Sequence, residues 1–185
     1  MDALDRLAGI QPGSRLDTIR RRKPVTRDNA QTSYDALLAP DDLTEMSAAE
    51  RAAVAYFVAG LHQDVSALAF YRERVSDPAP LDTEIARAAG TGPYGHFPPG
   101  PLSVEDEPGP DYTPQAIADP RLSAALAHTH MLVLHPRDAA PAHMRALDAA
   151  GWSATGIVTL SQLVSFLSFQ LRAAAGLRAL DRNRA

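Results

Sequence analysis

The sequence contains no cysteine, and this absence excludes several kinds of chemistry before any motif is considered. Without a thiol the chain can form no disulfide, no thiolate metal site and no iron–sulfur cluster, and it has no cysteine nucleophile. The sequence also lacks an unbroken apolar run of about 18 residues, so we expect no membrane span. A basic N-terminal region followed by an apolar stretch, which is typical of a signal peptide, is missing as well. We therefore expect a cytoplasmic protein.

The chain has fewer basic than acidic residues. Lys and Arg number 18 against 22 Asp and Glu, which gives a net charge of −4 at pH 7. The one basic run, residues 20–23, stands at the end of a predicted helix, where the helix dipole favours basic residues. We therefore expect no nucleic-acid partner. The sequence has neither a Gly-rich phosphate loop nor an HExxH zinc motif, and we expect neither a metal nor a cofactor.

The composition favours helix over strand. Alanine and leucine outnumber the β-branched residues, and no apolar run alternates as a half-buried strand would, so the sequence predicts an all-α fold. Two short helices are expected in the first 45 residues, one stopped by Pro24 and one spanning about residues 28–38.

Two stretches carry clear helix signals. Ser47 and Glu50 form a capping box before apolar residues spaced three or four apart as far as Val75, which predicts one long amphipathic helix. Asp119 and the proline after it are typical of the first positions of a further helix. Gly151 is expected just beyond a short helix that precedes the last long one.

Residues 90–118 differ from the rest of the chain. They contain seven prolines and five glycines, too many for a regular helix. Irregular segments of this length are uncommon in compact domains and are usually functional or disordered. Three interpretations stay open: a segment that wraps the core or another subunit, a lid over a substrate, or a disordered loop.

Two segments together resemble the carboxymuconolactone decarboxylase and alkylhydroperoxidase-D superfamily. The first is residues 47–71. The second, residues 147–172, follows the pattern L-x-x-x-G-(aromatic)-[ST]-x-x-x-I and continues into a hydrophobic helix. The likeness extends over about residues 45–78 and 119–180. It implies an alkylhydroperoxidase-D-like helical bundle at residues 46–180, interrupted by the Pro/Gly-rich segment 90–118, with residues 1–45 as an N-terminal helical extension.

The resemblance also indicates where a site would lie. In the peroxidase members of the superfamily two cysteines and a histidine stand on the first helix, and the matching positions here are Asp64, Ala67 and Tyr71. Because no cysteine is present, cysteine-dependent peroxidase activity is excluded. Asp64 and Tyr71 are seven residues apart and would share a helix face, where a carboxylate and a phenol can act as base and hydrogen-bond donor.

Histidines complete the predicted site. We take Asp64, Tyr71 and His128 as candidate catalytic residues. His62 and His130, together with Ala67, are candidate pocket-lining residues. No metal ligand set accompanies the histidines, because no carboxylate or third histidine stands at ligand spacing.

Two functions remain open from the sequence. One is a cofactor-free acid–base enzyme on a small molecule, as the resemblance to the decarboxylase members implies. The alternative is a non-catalytic binding or scaffold protein that has lost the peroxidase site. The last helix is apolar on more than one side, and the resemblance implies assemblies of identical chains, so we expect a homo-oligomer, from a dimer to a hexamer. Whether the protein is an enzyme is not decided by the sequence.

Overall fold

The computed structural model describes residues 1–92 and 94–182, and its regular structure there is helical, with no strand. Nine α-helices lie in these two ranges. They are α1 Ala3–Ala8, α2 Arg15–Arg21, α3 Pro24–Leu38, α4 Ala48–Leu61, α5 Val65–Arg72, α6 Ala79–Ala88, α7 Pro120–Leu134, α8 Pro141–Ala149 and α9 Ala154–Arg182. The all-α prediction is confirmed.

Several helix ends follow the predicted signals. The Ser47 hydroxyl accepts a hydrogen bond from the Glu50 amide at 3.2 Å, and the Glu50 carboxylate accepts one from the Ser47 amide at 2.7 Å. Asp119 caps α7, with Pro120 as its first residue. Gly151 follows α8 with a φ of 88°, a conformation that glycine adopts without the steric cost of a Cβ atom.

The prediction of one long helix from Ser47 to Val75 is wrong. The chain turns after α4, where Gln63 has a φ of 53°, and α5 starts again at Val65. Asp64 caps α5 by accepting a hydrogen bond from the Ala67 amide at 3.0 Å. The apolar spacing continues across this turn, although α4 is buried on all sides and α5 buries Ala67 and Tyr71, so periodicity alone does not reveal the break.

Pro24 begins a helix, a role that was not predicted. The helix before it does end, at Arg21, but Pro24 is itself the first residue of α3, which starts four residues earlier than the predicted residue 28. A proline is well suited to this position because it has no N–H to leave unpaired and its φ is already helical.

Helix α4 lies at the centre of the molecule. Every residue from Arg51 to Leu61 is buried, and α5, α6, α7 and α9 pack around the helix. The N-terminal helices join the same core, because Leu4, Leu7 and Leu16 belong to it and α1 packs on α9.

Residues 90–92 and 94–118 form no α-helix, as predicted, but they lie against the helices. The Tyr94 amide donates to the Leu134 carbonyl at 2.6 Å, and Gly95 pairs with Glu107 in an antiparallel bridge. Residues Pro101–Glu105 form a short 3₁₀ helix. Of the three interpretations, this arrangement matches a segment that wraps the core.

Helix α9 is long and apolar enough to cross a membrane by length and composition. In its most apolar 18-residue window, 44% is buried against the rest of the molecule. The core helix of a soluble protein meets the same length and composition test, so the test does not assign α9 to a membrane.

Candidate functional site

Histidine side chains meet in a cavity between α7, α8 and the segment around residue 112. The cavity has a volume of about 140 Å³. We call it the histidine cavity, and it is lined by Asp111, Tyr112, Ala124, Ala127, His128, His130, Met131, His135, His143 and Ala146. It brings together four of the six histidines of the chain.

His128 is held in one tautomer. Its Nε2 lies 3.1 Å from the Ser161 hydroxyl, and that hydroxyl donates its only proton to the Ile157 carbonyl at 2.9 Å. Ser161 must therefore accept the bond, so that the Nε2 of His128 carries the proton. The Nδ1 of His128 is left as a free lone pair, and it is buried with no hydrogen-bond partner in the described part of the chain.

Burial keeps His128 neutral. It lowers the pKa of His128 to about 4, and the neighbouring His143 adds to the effect. Because an imidazolium is poorly solvated in this cavity, the unprotonated ring is the stable form throughout the neutral pH range. His128 is therefore a base that is always ready to accept a proton, although its low pKa makes it a weak one.

His130 forms a second wall of the cavity. Its ring stacks on Tyr112 with centroids 4.5 Å apart, and Tyr112 stacks in turn on Phe57 at 5.8 Å. Burial lowers the pKa of His130 to about 4, His135 lowers it further, and a backbone hydrogen bond with Ala88 opposes both. The Nδ1 of His130 is buried and has no hydrogen-bond partner within the described ranges.

Glu84 holds Tyr112 in place. The Tyr112 hydroxyl donates to Glu84 at 2.7 Å, and the amides of Gln115 and Ala116 donate to the same carboxylate. Burial alone would raise the pKa of Glu84, but these bonds and Arg87 outweigh it and lower that pKa. Burial and the Glu84 charge raise the pKa of Tyr112, so its hydroxyl stays protonated and bound to Glu84. Tyr112 is thus a wall of the cavity and not an acid.

Asp138 lies close to two histidines, His135 and His96. His96 belongs to the segment that wraps the core, residues 90–92 and 94–118, which we call the wrapping segment. One carboxylate oxygen lies 3.0 Å from Nδ1 of His96, and the other lies 3.3 Å from Nδ1 of His135, outside hydrogen-bonding geometry. The hydrogen bond with Asp138 raises the pKa of the exposed His96. Gly109 crosses directly over the His135 ring, where a Cβ atom would lie 2.3 Å from the ring, so this crossing requires glycine.

Asp64 does not lie with the histidines. One of its oxygens caps α5, and the other pairs with the Arg178 guanidinium. Arg178 also donates to the Leu7 carbonyl at 2.7 Å, so these contacts join α5, α9 and the N-terminal helix. The carboxylate is 8% exposed and fully engaged. Asp64 is thus the N-cap of α5 and not part of one long helix, although both it and Tyr71 contact α9.

Tyr71 is buried in the core. Its hydroxyl donates to Gln170 at 2.8 Å, whereas Asp64 pairs with Arg178, eight residues and roughly 12 Å further along α9. Burial raises the pKa of Tyr71, so the phenol does not titrate near neutral pH. The structure therefore does not bring Asp64 and Tyr71 to a common point.

The remaining predicted site residues divide between two places. Ala67 is completely buried. His62 ends α4, and its Nε2 lies 3.3 Å from the Ser168 hydroxyl of α9, away from the histidine cavity. His128 and His130 both line the cavity. Of the six predicted residues, these two are the pair that lines the histidine cavity.

Sequence reasoning missed Tyr112, Glu84 and Asp138. Tyr112 comes from the Pro/Gly-rich segment, and its contact with Glu84 spans 28 residues, so no local pattern indicates it. Asp138 follows His135 by three residues, which is the one local signal available. His143 was assigned no role, because nothing in the sequence shows that α8 folds back onto α7.

No group of three His, Asp or Glu side chains suited to a metal ion occurs in residues 1–92 and 94–182. Comparison with known proteins adds no assignment: no family model, no curated protein and no solved structure matches this chain.

Proposed function

We propose that the protein is an acid–base enzyme and that the histidine cavity is its active site. The observation that carries this proposal is the buried, unpartnered Nδ1 lone pair of His128, fixed in its tautomer by Ser161. Leaving a buried polar atom unpaired costs free energy. His128 lines the cavity, and its Nδ1 is closed to water in this structure, so a substrate that reaches Nδ1 and donates to it would recover that cost.

The proton transfer can be followed atom by atom. His128 Nδ1 takes a proton from the substrate and becomes an imidazolium, which returns the proton to a different substrate atom. Because the pKa of His128 is about 4, the proton removed must already be acidic, as in an enol, a phenol or a C–H between two carbonyls. No oxidant or reductant is needed.

His143 offers a donor on the same cavity. The Ala140 amide donates to Nδ1 of His143 at 3.0 Å, so the neutral ring carries its proton on Nε2. A proton at that atom can stabilise negative charge on a substrate oxygen while His128 holds the proton it has removed.

The cavity volume limits the substrate. A cavity of about 150 Å³ accepts a molecule the size of benzene, and the histidine cavity measures about 140 Å³. The resemblance to the decarboxylase members, which act on small lactones or acids without a metal, supports the same substrate size.

The proposal is tested with small cyclic acids, lactones and 1,3-dicarbonyl compounds close to benzene in size. NMR in D₂O follows both product formation and exchange of substrate C–H protons for deuterium. We expect at least one compound to react above the buffer rate and His128→Gln to lower that rate at least 100-fold. His96→Gln, a change at an exposed histidine outside the cavity, is the matched control.

Reaction by none of the compounds, or equal rates for wild type and His128→Gln, would contradict the proposal. Peroxide consumption with a thiol reductant is measured alongside. Turnover there, with metal and haem excluded, would show that the exclusion of peroxidase chemistry is wrong.

A second candidate function is a non-catalytic, oligomer-forming binding protein. The observation that favours it is the outer face of α9, where Val158, Phe169 and Leu180 are 55%, 53% and 44% exposed. They are eleven residues apart, close to three helical turns, so they form one apolar line. Light scattering at micromolar concentration tests self-association, and a monomeric mass would remove this candidate.

A further inference from the structure

A cleft runs between α7 and α9, away from the histidine cavity. It consists of two adjoining depressions of about 640 and 620 Å³ that share Val133 and Arg172 as lining residues. We call it the Arg172 cleft. Each depression lies within the range of roughly 300–1,000 Å³ that is typical of small-molecule sites.

The charge in the Arg172 cleft has one sign. Arg172 lines both depressions and Arg137 lines one, and no Asp or Glu lines either. Neither arginine forms an ion pair within the described part of the chain, and the Arg137 guanidinium instead lies 4.0 Å from the centre of the Phe97 ring. In a chain with a net charge of −4, this is an uncompensated positive surface.

Hydroxyl donors stand beside Arg172. Ser165 and Ser168 precede it by seven and four residues, which places all three on one side of α9, and both serines line the cleft. The Ser168 hydroxyl also lies 3.3 Å from His62, whose ring lines the second depression. A guanidinium fork with neighbouring hydroxyls is the donor arrangement that suits the oxygens of a carboxylate or a phosphate.

Apolar side chains continue the cleft beyond these donors. Phe169 is 53% exposed, and Leu132 and Val164 line the same depression. A bare inorganic anion would leave this surface in contact with water. A molecule with a charged head and an apolar body would cover both parts.

We propose that the Arg172 cleft binds an amphiphilic oxyanion, with its head on Arg172 and the two serines and its apolar body along Phe169. A carboxylate and a phosphate monoester share this head-group chemistry, and the experiment separates them. The site is independent of the histidine cavity, and its failure would leave the acid–base proposal untouched.

The pKa of His62 provides a way to detect an anion bound in the Arg172 cleft. Burial lowers the pKa of His62, the positive charge of Arg172 lowers it further, and Asp64 opposes both. An anion bound to Arg172 cancels part of that positive field, so the pKa of His62 rises when the cleft is filled. A purely structural arginine would give no response of this kind to an added ligand.

The experiment uses the full-length protein with octanoate, octyl phosphate, inorganic phosphate and the uncharged 1-octanol. Calorimetry measures binding, and proton NMR follows the His62 titration. We expect octanoate or octyl phosphate to bind at least ten-fold more tightly than 1-octanol and inorganic phosphate, and the tighter of the two identifies the head group.

Arg172→Gln is expected to weaken the tighter probe at least ten-fold, and to raise the pKa of His62 in the absence of any probe. Arg137→Gln is a second variant, expected to weaken the same probe. Arg145→Gln, at an exposed arginine of α8 outside the cleft, is the matched control and should bind as wild type does.

Three results would overturn the proposal. The first is equal binding of 1-octanol and octanoate, which would mean that only apolar contact matters. The second is equal weakening by Arg145→Gln and Arg172→Gln. The third is the absence of binding by any probe together with a dimeric mass that Phe169→Ser converts to a monomer, because a second copy of the chain would then cover the cleft.

Discussion

The hydroxyl proton of Ser161 determines the tautomer of His128. The Ser161 hydroxyl donates its proton to the Ile157 carbonyl. The Nε2 of His128 must therefore donate to Ser161, which leaves Nδ1 as the acceptor. A histidine without such a partner would exchange between two tautomers, and only one of them would be a base on the cavity side.

This arrangement predicts that Ser161→Ala leaves His128 in place but releases its tautomer. We expect the proton-transfer rate to fall about ten-fold, less than in His128→Gln, because the base remains but is correctly protonated for only part of the time. The rate of deuterium exchange measures the effect, and Gln162→Ala on the exposed side of α9 is the control. A loss as large as that of His128→Gln would contradict this account.

Asp64 has a structural role that the sequence did not indicate. The resemblance placed it at a catalytic position, whereas the structure shows it as a helix cap that also pairs with Arg178. The same Asp-x-x-Ala spacing fits a helix start as well as a helix interior. Only the backbone turn at Gln63, with its φ of 53°, decides between them.

Asp64→Ala is therefore expected to lower the free energy of unfolding by about 2 kcal/mol, because it removes both a cap and the partner of a half-buried guanidinium. Asp64→Asn should cost roughly half as much, since asparagine caps a helix as well as aspartate does. Urea denaturation of both variants measures the difference. An equal loss in both would mean that the ion pair alone matters.

At the scale of elements, the wrapping segment depends on one carboxylate. Glu84 is fully buried on α6 and accepts hydrogen bonds from Tyr112, Gln115 and Ala116. The Pro/Gly content of residues 90–118 correctly predicted an irregular segment. It did not predict the anchor, because the carboxylate that orders the segment lies on a different helix.

Glu84→Gln is expected to loosen this segment. The amides of Gln115 and Ala116 both donate to one carboxylate oxygen, which the glutamine oxygen can replace. The NH₂ group would then replace the other oxygen and face Arg87 and the Tyr112 hydroxyl, so we expect a loss of stability of about 2–4 kcal/mol. Hydrogen exchange should increase most between residues 107 and 118. Glu105→Gln, an exposed change in the same segment, should leave exchange and stability as in wild type. Unchanged stability together with unchanged protection of the described residues between 107 and 118 would contradict the anchoring role.

At the scale of the whole molecule, the buried histidines link stability to pH. An unfolded chain protonates His128 and His130 as the pH falls below about 6.5, whereas the folded protein keeps both neutral down to about pH 4. Between these two values the unfolded state binds more protons, so the free energy of unfolding decreases as the pH falls. Asp17 extends the loss to lower pH, because its bonds to Gly13 and Arg21 lower its pKa from 3.8 to about 2.

We therefore expect thermal unfolding to shift to lower temperature between pH 6.5 and pH 4, and His128→Gln to remove about half of that shift. His96→Gln should act in the opposite direction. Its pKa is raised in the folded state, so wild-type His96 adds stability at low pH that the variant lacks. Calorimetric scans at half-unit pH steps measure both, and identical pH profiles for wild type and His128→Gln would contradict the argument.

How much of the structure the sequence predicts depends on how far apart in the chain the contacting residues lie. The cap at Ser47, the start of α7 at Asp119 and the glycine after α8 are local signals, and each was predicted. The break between α4 and α5, and the cavity itself, arise from contacts between residues far apart in the chain. For the cavity, the sequence supplied His128 and His130 but could not show that Tyr112 stands beside them.

The burial of α4 on all sides limits how fast the sequence of this helix can change in evolution. Between Arg51 and Leu61 five of the eleven residues are Ala or Gly, and a Cβ atom added at Gly60 would lie 2.6 Å from Ile85. Neighbouring helices approach this helix too closely to admit larger side chains. A lineage can therefore exchange the residues of a cavity wall more freely than those of its central helix. We expect distant kin of this chain to be recognised first by residues 51–61, long after their chemistry has drifted apart.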